Sequence, residues 1–334
     1  MTNVPAPAIP GRTPGVVDVA SAAQLACLLE ASAPKPGNVS PGRHFADARY
    51  EDFLASAVAI GGPLAGAGSR SVGATVRLAI EATAQWTRSN TNLGIVLLLT
   101  PIARAAALEK GDGSHFPAQD EGPGKGDGYL VPGSKMTPVP FFRTLRSALH
   151  EVLESTTVAD ARDVYAAIRR AAPGGLGRAE SQDVASDPTV TLLEAMRLAA
   201  DRDAVAREYA TAYDITFGTG APALDHARSA GLSWDDAIVE TFLILLAENP
   251  DTHVARRGGA ALAAEISKQA RGALASGGVG SASGRRAIEE LDRRLRDSRN
   301  TANPGTTADL TAAAIFVVLL GGGWSSGGPD AASR

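Results

Sequence analysis

Residues 303–320 read "NPGTTADLTAAAIFVVLL", and this stretch decides the fold class. After a Pro-Gly turn, the segment from Leu310 to Leu320 is apolar on every side of a helix. A helix that is hydrophobic all round lies in the core of its protein. Thr306, followed three residues later by Asp309, fits a capping box at the helix start. The stretch therefore predicts a central core helix that begins at an unusually polar turn.

The rest of the chain repeats helical periodicity and has no clear strand pattern. Of its 334 residues 44% are hydrophobic and only 5% aromatic, a composition typical of closely packed helices. We predict a single all-α, multi-helix globular domain over residues 16–320, because no clear linker divides it. After a first helix that ends near Glu30, the predicted helices are 50–60, 70–88, 92–108, 142–154, 157–172, 188–200, 203–229, 233–247, 252–275, 284–299 and 306–320.

Three segments have little apolar content. We expect residues 1–15 to be a disordered leader and residues 321–334 to be a disordered tail. Residues 109–140 are rich in glycine, proline and charge, which predicts a flexible insertion; a functional lid is the less favoured alternative.

Composition argues against several classes of protein. The net charge is −4 with no basic stripe, so nucleic acid is not an expected partner. The apolar runs "LGIVLLLTPIA" and "LTAAAIFVVLL" fall short of the roughly 20 residues that span a bilayer, so no membrane partner is expected either. The single cysteine, Cys27, excludes a disulfide framework and fits a cytoplasmic location. The oligomeric state stays open, with a homodimer as one alternative.

The first of four polar clusters is "EASAPKPGNV", residues 30–39. Prolines on both sides of Lys35 keep the backbone extended. Gly37 and Asn38 tolerate left-handed angles, so backbone amides beside a lysine could face a phosphate. Alone, however, the pattern favours a helix-breaking loop with a solvated lysine.

The second and third clusters also precede helices. Asn90, Thr91 and Asn92 exceed what one N-cap needs and suit ribose hydroxyls or phosphate oxygens, although a simple cap is an equal alternative. In "ENPDTHVARRGGAAL", Asp251 can cap a helix whose first turns carry Arg256 and Arg257 on overlapping faces. An acid with arginines could hold a metal–polyphosphate, while a cap with a surface salt bridge is the ordinary alternative.

The fourth cluster is the polar start of the opening stretch, with Asn303 and Asp309. A good N-cap explains Asp309 alone, but not why a buried helix begins with so many polar groups. Taken together, the four clusters predict a phosphate-and-magnesium site built on helix N-termini. Walker-type and Rossmann glycine motifs are absent from the sequence, so a bound nucleotide would occupy a less common fold.

In this order, the segments "EASAPKPGNV", "SNTNLG", "DTHVARRGG" and "NPGTTADL" resemble the triphosphoribosyl-dephospho-CoA synthase family over roughly residues 20–320. The resemblance implies an all-helical pentosyltransferase of cofactor biosynthesis. It would join ATP to 3′-dephospho-CoA and expel adenine. Where the family has N-T-H-K-G, this chain has Asn92 and Leu93 in place of the histidine and lysine, and His253 and Arg256 also depart from the third motif. The chain therefore resembles a divergent member.

The resemblance also implies roles for individual residues. Glu30 would be the base for the acceptor hydroxyl, and Asp309 would act in catalysis and, with Asp251, on Mg²⁺. The residues implied to bind nucleotide or phosphate are Lys35, Gly37, Asn38, Asn90, Thr91, Asn92, Arg256, Arg257 and Asn303, with Glu81 and Arg70 as weaker candidates. The open alternatives are an N-glycoside hydrolase of the nucleoside or ADP-ribose type, a related transferase with another nucleotide or acceptor, and a non-catalytic partner protein that kept the fold.

Overall fold

A computed structural model describes residues 18–111, 140–297 and 299–324. These parts of the chain contain helices and no strand, which confirms the all-α prediction; one isolated bridge joins Ser40 and Arg43. The helices are α1 Val19–Ser32, α2 Tyr50–Ala59, α3 Gly61–Ala65, α4 Val72–Thr83, α5 Leu93–Gly111, α6 Pro140–Glu154, α7 Val158–Ala171, α8 Leu192–Ala199, α9 Ala204–Ala210, α10 Ala221–Ser229, α11 Trp234–Glu248, α12 Thr252–Gly258, α13 Ala260–Ala275, α14 Ala282–Leu295 and α15 Gly305–Leu320, with a π-helix at Thr216–Gly220 and a 3₁₀ turn at Gly278–Gly280.

Helix α15 is the centre of the core, as its sequence predicts. Every residue from Leu310 to Leu320 is buried, and the helix packs against α1, α5, α10 and α11. The predicted capping box at its start is wrong, because Pro304 is the N-cap and makes no side-chain cap. Thr306 instead accepts a hydrogen bond from the backbone N–H of His253 at 3.1 Å. The starts of α12 and α15 are therefore bonded to each other.

Two predicted helices are broken. The segment 203–229 forms α9, the π-helix and α10, because Ala212 and Tyr213 adopt left-handed backbone angles between them. The buried carboxylate of Glu208 accepts the N–H groups of Ile215 at 3.0 Å and Thr216 at 2.7 Å, which supplies the partners that a continuous helix would have provided. The segment 252–275 divides into α12 and α13 at Gly259, whose φ is 91°.

Helix α5 contains Pro101, which cannot donate to the carbonyl of Leu97 four residues earlier. The hydroxyl of Tyr209 on α9 donates to that carbonyl at 2.7 Å, and Tyr213 donates to the next one, on Leu98, at 3.0 Å. Two buried tyrosines thus satisfy the backbone groups near the proline and fix α9 against α5. This contact places α9 beside the site described below.

The terminal and insertion predictions lie mostly outside the described residues. Helix α5 continues to Gly111 and α6 begins at Pro140, so the predicted insertion 109–140 starts inside a helix, and its remainder is not described. The predicted leader 1–15 and most of the predicted tail 321–334 are likewise outside the described parts. No helix in those parts is both long and apolar enough to cross a bilayer.

Candidate functional site

The starts of α5, α12 and α15 meet the end of α1 around a small cavity of about 110 Å³. Its lining carries amides and acids that the sequence singled out. The sequence-predicted residues in this lining are Glu30, Asn38, Asn90, Thr91, Asn92, Asn303 and Asp309, and His253 joins them. The convergence of polar helix starts that the sequence predicts is therefore present in the fold.

A large cavity of about 550 Å³ lies against the same residues. Asn90, Leu93, Gly94, His253 and Asp309 line both cavities, and we call these five residues the shared wall. Most of the rest of the large cavity is formed by α7, α8, α9 and the segment 172–185, and Leu97, Arg256 and Thr306 complete it together with the turn before α9. A ligand in one cavity and a ligand in the other can therefore approach each other at the shared wall.

Glu30 is held by Lys35. The Lys35 side chain is fully buried, and its Nζ lies 3.0 Å from Glu30 Oε1. The same ammonium donates to the backbone carbonyl of Glu30 and to that of Ala33. Lys35 lines neither cavity, so the direct phosphate contact predicted for it does not fit this arrangement. Its observed contacts position the Glu30 carboxylate and balance its charge.

Gly37 has a structural explanation that differs from the predicted one. Its φ is 76°, and a Cβ there would lie 2.8 Å from the Cβ of Leu295, so only glycine fits. Its N–H, predicted to face a phosphate, donates to Asp292 Oδ1 at 2.8 Å instead. The turn is therefore tied to α14, and its tight fit sets the position of the following residue, Asn38.

Asn38 has an unsatisfied atom at the small cavity. Its Nδ2 donates to Asn303 Oδ1 at 2.6 Å, and the residue is only 5% exposed. Its Oδ1 is buried without a hydrogen-bond partner. A buried polar atom without a partner costs stability, and such atoms often bond to a ligand or to an ordered water. Asn38 Oδ1 can thus accept a hydrogen bond from a hydroxyl placed in the small cavity.

The three residues before α5 line the small cavity while also bracing it. Asn90 Oδ1 accepts the N–H of Leu93 at 3.1 Å, which is the ordinary capping role. Asn92 Nδ2 donates to Thr83 Oγ1 at 3.0 Å, and the Thr91 hydroxyl lies 2.5 Å from that of Ser56. Each of these three side chains therefore already makes one hydrogen bond to a protein group.

Asp309 lies in the shared wall against the first turn of α5. A Cβ on Gly94 would be 2.0 Å from Asp309 Oδ2, so the glycine makes room for the carboxylate. Burial raises the pKa of Asp309 well above its usual value, and the nearby carboxylates of Glu30 and Asp251 raise it further. No hydrogen bond involves its carboxylate among the described residues. Without a cation nearby this carboxyl therefore favours its protonated form, and a bound cation would favour the ionised form.

Asp251 is a structural residue in this fold. Its Oδ1 accepts the N–H of Val254 at 2.9 Å, and its Oδ2 accepts both the N–H and the hydroxyl of Thr307 at 2.7 Å. It is 2% exposed and lines neither cavity. The capping role is thus observed, whereas direct metal binding would break these bonds.

The two adjacent arginines point to different places, contrary to the overlapping faces predicted for them. Arg256 lines the large cavity and pairs with Asp203. Arg257 donates to the carbonyl of Arg299 at 2.5 Å and lines neither cavity. The weaker candidates also lie elsewhere: Glu81 pairs with Arg77 at 3.2 Å, and Arg70 packs against Gly66.

His253 is a site residue to which the sequence assigned no role. It belongs to the shared wall, one residue after the start of α12. Burial and the positive charges of Arg256 and Arg257 lower its pKa to about 4, so the ring is neutral near pH 7. The only sequence signal was its place in the third cluster. Within the described ranges, no group of three or more histidine, cysteine or acidic residues is arranged to hold a metal ion.

The family model described as ATP:dephospho-CoA triphosphoribosyl transferase matches residues 17–327. A relative from Pseudomonas paraeruginosa that carries the name 2-(5''-triphosphoribosyl)-3'-dephosphocoenzyme-A synthase is 38% identical over 109 residues. A protein of the same name from Pseudomonas putida is 37% identical over 117 residues. These matches cover 32% and 35% of this chain, and only 36% and 41% of the two relatives' own lengths.

Among solved structures, a protein from Archaeoglobus fulgidus that carries the name triphosphoribosyl-dephospho-CoA synthase aligns with a TM-score of 0.56 and 26% sequence identity. The alignment covers 81% of this chain and 99% of the other. The helical arrangement described above is thus similar to that of this protein over nearly all of its length.

Proposed function

The chain belongs to the ATP:dephospho-CoA triphosphoribosyl transferase family, and we propose that it transfers the triphosphoribosyl group of ATP to a ribose hydroxyl of 3′-dephospho-CoA. In this reaction the acceptor oxygen forms a bond to the anomeric carbon of the ATP ribose, and the bond from that carbon to adenine breaks. The acceptor hydroxyl loses its proton, and adenine leaves with the bonding electrons and takes up a proton. The triphosphate stays intact.

One observation carries the proposal: two cavities meet at a wall that contains a carboxylate and an imidazole. A reaction between two large substrates needs two binding spaces that converge on one point. Substitution at an anomeric carbon develops positive charge on the sugar, which nearby carboxylates stabilise. Glu30 and Asp309 supply such charge at the small cavity.

Glu30 is our candidate for the base that accepts the hydroxyl proton. It lines the small cavity, and Lys35 holds one of its oxygens at 3.0 Å, which leaves the other oxygen for the acceptor. Asn38 Oδ1, which has no partner, would accept a hydrogen bond from a hydroxyl of the ATP ribose. The two contacts together would orient the ATP ribose and the acceptor hydroxyl relative to the Glu30 carboxylate.

Mg²⁺ fits the donor set of the small cavity. The carboxylate of Asp309 is a hard oxygen donor with no hydrogen bond from the described residues. Mg²⁺ bound to a nucleotide typically takes one or two carboxylates and keeps several waters, so a site without three clustered protein ligands suits it. Asp309 would hold the ion and Glu30 would lie beside it. When bound, the ion would neutralise charge on the triphosphate.

His253 would serve the leaving adenine. As a neutral imidazole in the shared wall, it carries one N–H that can donate to a ring nitrogen of the base. Arg256, which lines the large cavity, would add positive charge near the phosphates. Its guanidinium would then contact both a phosphate and Asp203, with which it already pairs.

Adenine release tests the proposal. Purified protein with ATP, Mg²⁺ and dephospho-CoA should release one adenine for each adduct formed, with no ADP or phosphate. Adenine release in the absence of any acceptor would instead indicate the hydrolase alternative. An absence of adenine with every acceptor tried would contradict the transferase.

The cellular location and the oligomeric state of the protein are further proposals. Both substrates are cytoplasmic metabolites, so we place the protein in the cytoplasm. A homodimer stays a prediction that light scattering of the purified protein can test.

A further inference from the structure

Apart from the shared wall and Arg256, the large cavity has no role in the steps above, and we infer that its remaining part binds the uncharged pantetheine arm of the acceptor. This inference rests on the proposed function, because that function supplies an acceptor with such an arm. The chemical class of ligand is a nucleoside diphosphate that carries a long, flexible amide chain.

The lining of the large cavity suits an uncharged chain. Aliphatic side chains form much of it, among them Leu97, Val164, Ile168, Leu192, Met196 and Val205. Such a surface favours methylene and methyl groups, whereas a triphosphate would lose its hydration there. The volume of about 550 Å³ also lies in the range of small-molecule pockets.

Charged groups in the same lining suit a diphosphate. Arg169 spends one N–H group on the carbonyl of Val184 at 2.6 Å, and Arg202 spends one on that of Leu198 at 3.0 Å. Each guanidinium has five N–H groups, so others stay available. Arg178 adds a third positive charge to the lining.

Two acids of the large cavity, Asp203 and Asp183, already bond to protein groups. Asp203 pairs with Arg256. Asp183 accepts the N–H groups of Ala179 at 2.6 Å and Ala185 at 2.9 Å, which lower the pKa of its carboxyl. Asp183 therefore stays ionised with the positive charge of Arg178 beside it, and Arg169 and Arg202 are the groups left to face a diphosphate.

The position of the cavity fixes the direction of the ligand. A chain that fills the large cavity reaches the shared wall at one end, where Asp309 and His253 face the small cavity. In the acceptor, the reacting ribose and the amide chain lie at opposite ends of the diphosphate. ATP has no comparable uncharged part other than its base. The acceptor is thus the substrate that fits this space.

Two substitutions on α8 give a matched test. Ala195 is half-buried and lines the large cavity, whereas Ala200, just past the end of the same helix, does not. We expect Ala195→Trp to raise the KM for dephospho-CoA at least tenfold and to leave the KM for ATP within twofold. Ala200→Trp should change neither. Pantetheine alone should compete with dephospho-CoA in the wild type and bind at least tenfold more weakly to Ala195→Trp, measured by calorimetry.

A second variant tests the inference in case Ala195→Trp does not fold. Leu198 is 51% exposed and lines the large cavity, so Leu198→Asp should fold and should also raise the KM for dephospho-CoA selectively. A rise in the KM for ATP instead would assign the cavity to the donor and overturn the inference. Unchanged acceptor binding in both variants would overturn it as well. Because pantetheine binding needs no turnover, it decides the cavity's role even if adenine release fails and the proposed function falls.

Discussion

Lys35 and Glu30 form a buried pair whose two members depend on each other. Lys35 is fully buried, Glu30 is 4% exposed, and their charged atoms lie 3.0 Å apart. Removal of one member leaves the other charge uncompensated away from water, which is strongly destabilising. We therefore propose that Lys35 affects the reaction only through the position of the Glu30 carboxylate.

We therefore expect Lys35→Met to lower the free energy of unfolding by about 3 kcal/mol or more, measured by urea denaturation. The double variant with Glu30→Gln should recover part of that loss, because no charge is left unpaired. If Lys35 contacted a phosphate directly, Lys35→Met would instead raise the KM for ATP and leave the unfolding curve in place.

Asn38 should select substrates by their hydroxyl groups. Its unpartnered Oδ1 can accept one hydrogen bond from the ATP ribose. We expect Asn38→Ala to lower the preference for ATP over 2′-deoxy-ATP or 3′-deoxy-ATP, as a ratio of kcat/KM values, by roughly three- to tenfold. Any loss of folded protein lowers both kcat/KM values by the same factor, so it does not change their ratio. A ratio equal to that of the wild type for both analogues would refute the contact.

At the scale of elements, the break between α9 and α10 depends on one buried acid. Glu208 accepts hydrogen bonds at the start of the π-helix, and burial raises its pKa from the ordinary 4.5 to about 7. The folded protein therefore keeps this proton at pH values where the unfolded chain has lost it. The corresponding stability is fully present below pH 4.5 and is lost as the pH rises to about 7.

Glu208→Gln cannot ionise and should lack this dependence. Relative to the wild type, its free energy of unfolding should rise by roughly 3 kcal/mol between pH 4.5 and 7, at about 1.4 kcal/mol per pKa unit. Denaturation curves at several pH values measure the difference. Glu248→Gln, at an exposed acid on α11, is the control and should track the wild type. A constant difference between Glu208→Gln and the wild type across this range would contradict the raised pKa.

Local signals predicted most helices, because caps and apolar periodicity are properties of neighbouring residues. Thr157, for example, caps α7 and forms a capping box with Asp160, as the sequence around it suggests. The turn between α9 and the π-helix was missed because its cause is the contact of Glu208 with residues seven and eight positions later. Likewise, Pro101 inside α5 is tolerated because Tyr209, over a hundred residues away, bonds to the freed carbonyl.

At the scale of the whole molecule, α15 brings the predicted clusters together. It packs on α1, α5 and α12, so residues near both ends of the chain reach one cavity. The sequence predicted which helix starts are polar, but not which polar groups would be used by the fold. Lys35, Gly37, Asp251 and Arg257 bond to protein groups, whereas Asn38 and Asp309 keep free oxygens at the small cavity. The large cavity was not predicted, because most of its lining comes from α7, α8, α9 and the segment 172–185, which carry no distinctive motif.

We propose that the sugar is transferred at the shared wall, beside Asp309. Asp309→Asn removes the group that can ionise and bind a cation, and it breaks no hydrogen bond from the described residues. The melting temperature should therefore stay the same or rise. Glu81→Gln, at an exposed acid that lines neither cavity, is the matched control.

Product formation in these two variants, followed as adenine release and as the mass of the adduct, is the most direct measurement. The account predicts that Asp309→Asn loses at least 100-fold in rate, of the order expected for removal of a group that acts on the transition state, while Glu81→Gln matches the wild type. A folded Asp309→Asn variant that turns over within threefold of the wild-type rate would contradict the account.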